Sequence, residues 1–248
     1  MSVFDFANPE RFERLARPIA VPTGALAAVL IGAGLYYGLF NSPPDYKQGE
    51  TVRIMYVHVP AAWMALACYT ALAAASAVGF IWKHPLADVA ARATAPIGAV
   101  FTAVAIVTGS LWGRPMWGTW WAWDARLTSV LILFFLYLGY MAVWAAIEDK
   151  ARAARLAAIV AIAGFINVPI IKFSVDWWNS LHQPASVFRA DGPTIDGSML
   201  APLLLMALGY TVLFIALLLA SMRNEIAARR LMRLEGAPGR PVSTVRKE

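Results

Sequence analysis

Six long apolar segments limit what this chain can fold into. They cover roughly residues 21–40, 54–82, 93–113, 127–147, 156–175 and 199–221. Each is long enough to cross the ~30 Å hydrocarbon core of a bilayer as an α-helix. With 60% hydrophobic and 15% charged residues among 248, the chain lies outside the usual range of soluble domains. We therefore predict an all-α membrane protein, a six-transmembrane-helix bundle.

The lysines and arginines predict the orientation of this bundle. Of the 21, about 15 lie on the side of the N-terminus and about six on the other side. Loops rich in Lys and Arg remain in the cytoplasm, so we predict that both termini are cytoplasmic. The three outer segments are then roughly 41–53, 114–126 and 176–198.

The two ends of the chain are predicted to lie outside the hydrocarbon core. Residues 1–20 form an N-terminal cytoplasmic or interfacial segment with a short surface helix, since Asn8-Pro9-Glu10 is typical of a helix start. Residues 21–222 form the transmembrane domain, whose first apolar run is an uncleaved anchor. Residues 223–248 form a basic cytoplasmic tail, disordered after Gly236, whose arginines suit the anionic inner leaflet rather than nucleic acid.

Tryptophans concentrate in one outer segment, residues 112–128. Half of the chain's 10 tryptophans lie there, namely Trp112, Trp117, Trp120, Trp121 and Trp123. Because an ordinary aromatic belt decorates both interfaces, this one-sided excess predicts a platform for a large, flat, amphipathic ligand. A helix would put Asp124 on the same face as three of these rings, whereas Pro115 and Gly118 favour short turns. Asp124 could either cap the fourth span or pair with Arg126.

Two of the three histidines lie on the tryptophan side. His58 is at the outer end of the second span and His182 is in the third outer segment, whereas His84 is an inner-loop residue. Zinc needs three or four protein ligands, and the one cysteine, Cys68, falls inside an apolar helix. Haem needs one or two axial ligands and flat apolar neighbours. The residues therefore favour bis-histidine haem at the outer membrane edge.

A haem also carries two propionates, which outer arginines could bind through charge-assisted hydrogen bonds. The candidates are Arg53, Arg114, Arg126 and Arg189. Ala61 and Ala62 follow His58 at helical spacing, and their small side chains leave room for a macrocycle beside it.

Three stretches of the chain resemble a known family. The run from Trp117 to Thr128, WGTWWAWDARLT, resembles the tryptophan-rich WWD signature of haem-handling proteins in cytochrome c biogenesis. His58 in HVPAAWM and His182 in WWNSLHQPAS resemble the two outer haem-ligand positions of those proteins. With six spans and a short chain, the sequence is most similar to the CcmC family of the system I cytochrome c maturation pathway.

This resemblance implies a ligand, a location and partners. Haem b (iron protoporphyrin IX) would have His58 and His182 as axial ligands of its iron, with the WWD segment and its Asp124 as the platform. The protein would lie in the bacterial inner membrane with its haem site facing the periplasm, and would deliver haem to the periplasmic chaperone CcmE. The ABC-type subunits CcmA and CcmB and the small membrane subunit CcmD would complete the complex.

The chain itself is expected to be a binding and delivery protein and not an enzyme. It contains no Gly-x-x-x-x-Gly-Lys-Ser/Thr motif, so ATP hydrolysis is expected in a partner. One alternative is a membrane scaffold that docks a protein partner through its tryptophan face without binding haem. A small-molecule permease is disfavoured because the middles of the spans carry almost no charged residues.

Overall fold

The computed structural model describes residues 8–235, which are mostly α-helical. The α-helices are Pro9–Tyr36 (α1), Met55–Trp82 (α2), Pro85–Trp117 (α3), Ala125–Ala146 (α4), Lys150–Gly164 (α5), Asn167–Trp177 (α6) and Gly197–Glu235 (α7). A π-helical turn, Tyr37–Asn41, continues α1, and a 3₁₀ helix, Glu50–Ile54, precedes α2. The disorder predicted after Gly236 lies outside the described residues.

Six helical stretches are long and apolar enough to cross a membrane, which confirms the predicted six-span, all-α class. They are Pro9–Asn41, Glu50–Trp82, Pro85–Trp117, Ala125–Ala146, Lys150–Trp177 and Gly197–Met232. The third extends beyond its predicted bounds at both ends. It begins at Pro85 instead of near residue 93 and ends at Trp117 instead of near residue 113, so the start of the tryptophan segment is helical.

The first span and the expected surface helix form one continuous helix, α1. Asn8 is its N-cap, and the Asn8 side chain accepts a hydrogen bond from the Glu10 N–H at 2.9 Å. Pro18 and Pro22 lie inside the helix without ending it, as membrane helices tolerate when neighbours satisfy the freed carbonyls. The predicted helix start is confirmed, whereas the surface helix is not a separate element.

The fifth span is interrupted, although the sequence predicts one helix over residues 156–175. α5 ends at Gly164 and α6 begins at Asn167. Pro169 has no N–H for the Phe165 carbonyl four residues earlier, which favours a break at this point. The buried Asn167 Nδ2 donates to the Ser129 carbonyl of α4 at 2.8 Å, so α6 is held against α4.

The bundle packs through small and aromatic side chains. α2 packs most extensively against α3, and α1 packs most extensively against α7. Tyr69, Leu133 and Tyr137 are fully buried in the main core, and the Tyr137 hydroxyl donates to the Ala65 carbonyl at 2.8 Å. Many alanines in the same core let the helix backbones approach closely, as is typical of membrane bundles.

Ion pairs join the start of α1 and the end of α7 at one end of the bundle. Glu13 of α1 pairs with Arg223 of α7 at 3.0 Å. Glu225 of α7 pairs with Arg92 of α3 and with Arg229, both at 2.7 Å. Both ends of the described chain therefore lie on the same side, as predicted. That this side is the cytoplasm stays a prediction.

Gly98 of α3 leaves the space that the Tyr137 ring fills. A methyl group at Gly98 would overlap that buried ring, so we expect Gly98→Ala to destabilise the fold by about 1–3 kcal/mol. The measurement is the thermal midpoint of unfolding in detergent. Gly139→Ala in α4 is the matched control, because a methyl there meets nothing within 4 Å. Equal midpoints for the two variants would contradict this packing.

Candidate functional site

A mostly apolar cavity lies at the end of the bundle opposite these ion pairs. It is enclosed by α2, α3, α4, α6 and the segment 178–196, and its volume is about 280 Å³. Its lining includes His58, Trp63, Trp112, Trp117, Trp121, Arg126, Lys172, His182 and Phe188. Apolar walls with a few converging polar groups are typical of a small-molecule binding site.

The two outer histidines face this cavity together. Their ring centroids are 6.4 Å apart and their planes are inclined by 33°. Both side chains are half-buried. Two imidazoles that bind one metal ion from opposite sides through bonds of about 2 Å have ring centres roughly 6 Å apart. His58 and His182 therefore have the spacing of two axial ligands to a shared metal ion.

Hydrogen bonding assigns the proton of the His58 ring. Its Nδ1 lies 3.1 Å from Thr108 Oγ1, and that hydroxyl donates its own hydrogen to the Val104 carbonyl at 2.6 Å. Because Thr108 Oγ1 can then only accept, Nδ1 carries the proton and Nε2 keeps its lone pair. Gly109 allows this position of the ring, since a Cβ there would lie 3.0 Å from His58 Cε1.

His182 has the same tautomer for a similar reason. Its Nδ1 lies 3.0 Å from the Gln183 carbonyl, which only accepts, so Nδ1 carries the proton. Burial lowers the pKa of the His182 imidazole below its ordinary value of 6.5, the Gln183 carbonyl opposes that shift, and the positive charge of Arg126 adds to it. The neutral ring with a free Nε2 therefore persists to lower pH than an exposed histidine would.

The tryptophan segment is helical in its first part and irregular in its second. α3 ends at Trp117, and Gly118 then adopts a φ of 77°, which favours glycine. Residues 118–124 are not helical, so the expected short turns are confirmed and the single helical face is wrong. Trp112 packs edge-to-face on Trp117 with centroids 5.0 Å apart, and its Nε1 donates to Gln48 Oε1 at 2.8 Å.

The five tryptophans divide between the cavity and the outer surface. Trp112, Trp117 and Trp121 line the cavity. The Nε1 of Trp121 is buried and has no hydrogen-bond partner among the described residues. Trp120 and Trp123 do not line the cavity, and they are 56% and 77% exposed. Three rings are therefore available to a ligand in the cavity and two to a molecule outside it.

Asp124 is the N-cap of α4, which was one of its two predicted roles. Oδ1 accepts from the Leu127 N–H at 2.7 Å. Oδ2 accepts from Ser180 Oγ at 2.6 Å and from the Leu181 N–H at 3.2 Å. Ser180 Oγ in turn accepts from the His182 N–H at 3.1 Å. The carboxylate therefore fastens the segment that carries His182 to the start of α4.

Comparison with known proteins identifies the family of the chain. The family model described as "Heme exporter protein C" (CcmC) matches residues 2–236. The chain belongs to this family. This confirms the resemblance that the tryptophan signature and the two histidines predicted.

Several relatives carry the name Heme exporter protein C. The relative from Bradyrhizobium diazoefficiens is 56% identical over 235 residues, which cover 95% of this chain and 89% of the relative. The relative from Haemophilus influenzae is 46% identical over 221 residues, which are 89% of this chain and 90% of the relative. The relative from Escherichia coli K12 is 46% identical over 207 residues, which are 83% of each chain.

Four arginines of this CcmC family member were predicted to bind propionates. Of these, Arg126 lines the cavity. Arg53 pairs with Glu50, and Arg114 donates to a backbone carbonyl of its own turn. Within residues 8–235, the cavity lining includes neither of these two nor Arg189. A role in propionate binding stays a prediction for all four.

Arg126 joins α4 to α6 beside His182. Its Nε donates to Ser174 Oγ at 3.1 Å, and its Nη2 donates to the carbonyls of Ile171 and Lys172 at 3.3 and 3.2 Å. Its Nη1 lies 3.4 Å from His182 Nδ1. Both of those nitrogens carry hydrogens, so this is a close contact between a cation and a ring. Arg126 therefore holds the cavity wall next to His182.

Sequence reasoning missed several residues of the cavity. The rings of Trp63 and Phe188 pack with centroids 4.9 Å apart, and both line the cavity. Trp63 lies five residues after His58, which is not the spacing of neighbours on one helix face, and Phe188 lies in an irregular segment. Neither residue therefore had a periodic signal in the sequence. Lys172 also lines the cavity. A lone cation in an apolar span is a candidate functional residue, so Lys172 was identifiable from the sequence.

Proposed function

We propose that this protein binds haem b between His58 and His182 and delivers it to a periplasmic haem chaperone for c-type cytochrome biogenesis. The observation that carries this proposal is the pair of imidazoles that line one apolar cavity with their ring centroids 6.4 Å apart. Both Nδ1 atoms have hydrogen-bond acceptors, so both Nε2 lone pairs are available to iron. The names of the relatives, Heme exporter protein C, support the same ligand.

The residues of the cavity fit an iron porphyrin. The spacing of the two rings suits hexacoordinate iron with two axial histidines. Trp112, Trp117 and Trp121 present aromatic surface to a flat macrocycle, and the buried Nε1 of Trp121 is a hydrogen-bond donor without a protein acceptor in residues 8–235. Such a donor costs stability in an apolar cavity unless a ligand satisfies it, and a polar edge of haem would do so.

We assign the site to the periplasmic face of a bacterial inner membrane. The lysine and arginine distribution predicts that the end with the chain termini is cytoplasmic. The haem cavity lies at the other end, which would then face the periplasm. Residues of segment 178–196, including His182, line the cavity at this same end, where a periplasmic protein would approach the bound ligand.

We propose that the recipient is the chaperone CcmE and that CcmA, CcmB and CcmD complete the complex. The exposed rings of Trp120 and Trp123 support a docking surface next to the cavity-lining Trp121 in the chain, since aromatic residues are enriched at protein interfaces. The chain would bind and present its cargo without being an enzyme. Because the sequence lacks a phosphate-binding Gly-x-x-x-x-Gly-Lys-Ser/Thr motif, ATP hydrolysis is assigned to the ABC-type partners.

Two tryptophan variants test binding and delivery separately. We expect Trp121→Ala to weaken haem binding about tenfold, because it removes a ring of the cavity wall. We expect Trp123→Ala to keep the haem spectrum and to slow haem transfer to CcmE about tenfold, because an exposed anchor of the docking surface is lost. The measurements are haem titration by absorbance and the rate of haem attachment to added CcmE.

Three outcomes of this experiment would contradict a part of the proposal. If the wild-type protein loads with haem but never transfers it to CcmE, the delivery function is wrong. If it contains no haem and still binds CcmE stoichiometrically, the scaffold function replaces it. If Trp123→Ala lowers haem affinity as strongly as Trp121→Ala does, the division of the rings between cavity and docking surface is wrong.

A further inference from the structure

We propose that Lys172, which was not among the residues predicted to bind propionates, binds a haem propionate in this site. This inference rests on the proposed haem function and identifies how the charged edge of the ligand is held. The lining of the cavity carries two cationic side chains among the described residues, Arg126 and Lys172. Haem carries two propionates, and a carboxylate that enters an apolar cavity needs a cation or several donors close to it.

Most of the hydrogen-bond donors of the Arg126 guanidinium already have acceptors within the protein. Its Nε and Nη2 donate to Ser174 Oγ and to the carbonyls of Ile171 and Lys172. Of the guanidinium nitrogens only Nη1 is left, and it lies 3.4 Å from the His182 ring. Arg126 therefore has donors for at most one carboxylate, close to the iron ligand. A second propionate needs another cation.

Lys172 has the position and the freedom to be that cation. It lies five residues before the end of α6 at Trp177, about 7.5 Å along the helix axis. Its backbone is held to the cavity wall, because its carbonyl accepts from Arg126 Nη2 at 3.2 Å. Within residues 8–235 its ammonium takes part in none of the ion pairs, and its side chain is exposed.

The neighbouring charges favour one direction for the ammonium. Asp176 lies one turn further along α6 and also lines the cavity, and its carboxylate repels a propionate that lies toward the helix end. The four-carbon stem of Lys172 packs along apolar surface while its charge seeks a polar group. In a membrane protein that polar group is either the lipid–water interface or the ligand. The place of Lys172 in the cavity lining favours the ligand.

A ligand without charged propionates tests whether the Lys172 ammonium binds a propionate or lies at the lipid–water interface. Purified protein is titrated with haem and with iron protoporphyrin dimethyl ester, which has the same iron and ring but no carboxylates. For Lys172→Gln we expect roughly three- to tenfold weaker binding of haem, as is typical of one partly exposed charge-assisted contact. Binding of the dimethyl ester is expected to match wild type. Lys172→Arg keeps the charge and is expected to bind haem within about twofold of wild type.

The control variant is Arg155→Gln, since Arg155 is an exposed cation of α5 that lies outside the cavity lining. It is expected to bind both porphyrins as wild type does. Unchanged haem binding by Lys172→Gln overturns the inference, and so does an equal loss for haem and its ester, which indicates a structural role. In both cases the bis-histidine spectrum persists. Absence of that spectrum from wild-type protein overturns the proposed haem function itself.

Discussion

Alanine at both His58 and His182 is expected to abolish the bis-histidine haem spectrum of the purified protein. Each substitution removes one of the two imidazoles whose ring centroids are 6.4 Å apart, and the remaining cavity offers aromatic contact but no axial ligand from these two positions. Because removing even an outer partner of a metal ligand costs about 10–100-fold in affinity, we expect haem occupancy of the double variant to fall by at least that factor.

The measurement is the visible absorbance spectrum together with the haem content per protein. Each single variant is expected to keep some haem and to show a five-coordinate spectrum, since one imidazole remains. His84→Ala is the control, because His84 lies at the N-cap position of α3, at the opposite end of the bundle, and its side chain makes no capping hydrogen bond. A double variant with a wild-type bis-histidine spectrum would show that the ligands are elsewhere.

Asp124→Ala is expected to have the second largest effect, although Asp124 does not line the cavity. Its carboxylate caps α4 through Leu127 and also accepts from Ser180 and Leu181. Loss of the cap costs about 0.5–2 kcal/mol of helix stability. Loss of the second set of bonds frees the segment that carries His182. We expect about tenfold weaker haem binding and a shift of the spectrum toward five-coordinate iron.

Two further variants distinguish the loss of the α4 N-cap from the loss of the hydrogen bonds that position the segment with His182. Asn at position 124 has one acceptor oxygen, which can cap α4 but cannot also accept from Ser180 and Leu181, so Asp124→Asn is expected to lose haem affinity while α4 stays capped. Asp149→Ala removes an equivalent N-cap, that of α5, on the far side of the bundle, and should leave the haem spectrum unchanged. If Asp149→Ala and Asp124→Ala weaken haem equally, general loss of stability explains both.

Segment length and composition were sufficient to predict the six-span, all-α class. Hydrophobicity is a local property that adds up along the chain, so six spans are visible without any tertiary information. The same holds for the concentration of tryptophans and for the positions of His58 and His182 relative to the spans. The short motifs around those residues also predicted the CcmC family, which the comparisons confirm.

Only the tertiary structure decided which of these residues meet. The position of α6 against α4 depends on the Asn167 bond to Ser129. The position of His182 depends on Asp124 through Ser180. These bonds join residues 38 and 56 positions apart, and no local period encodes such pairs. For the same reason the sequence alone could not divide the five tryptophans between cavity and surface, or favour Lys172 over Arg53 and Arg114 as a lining cation.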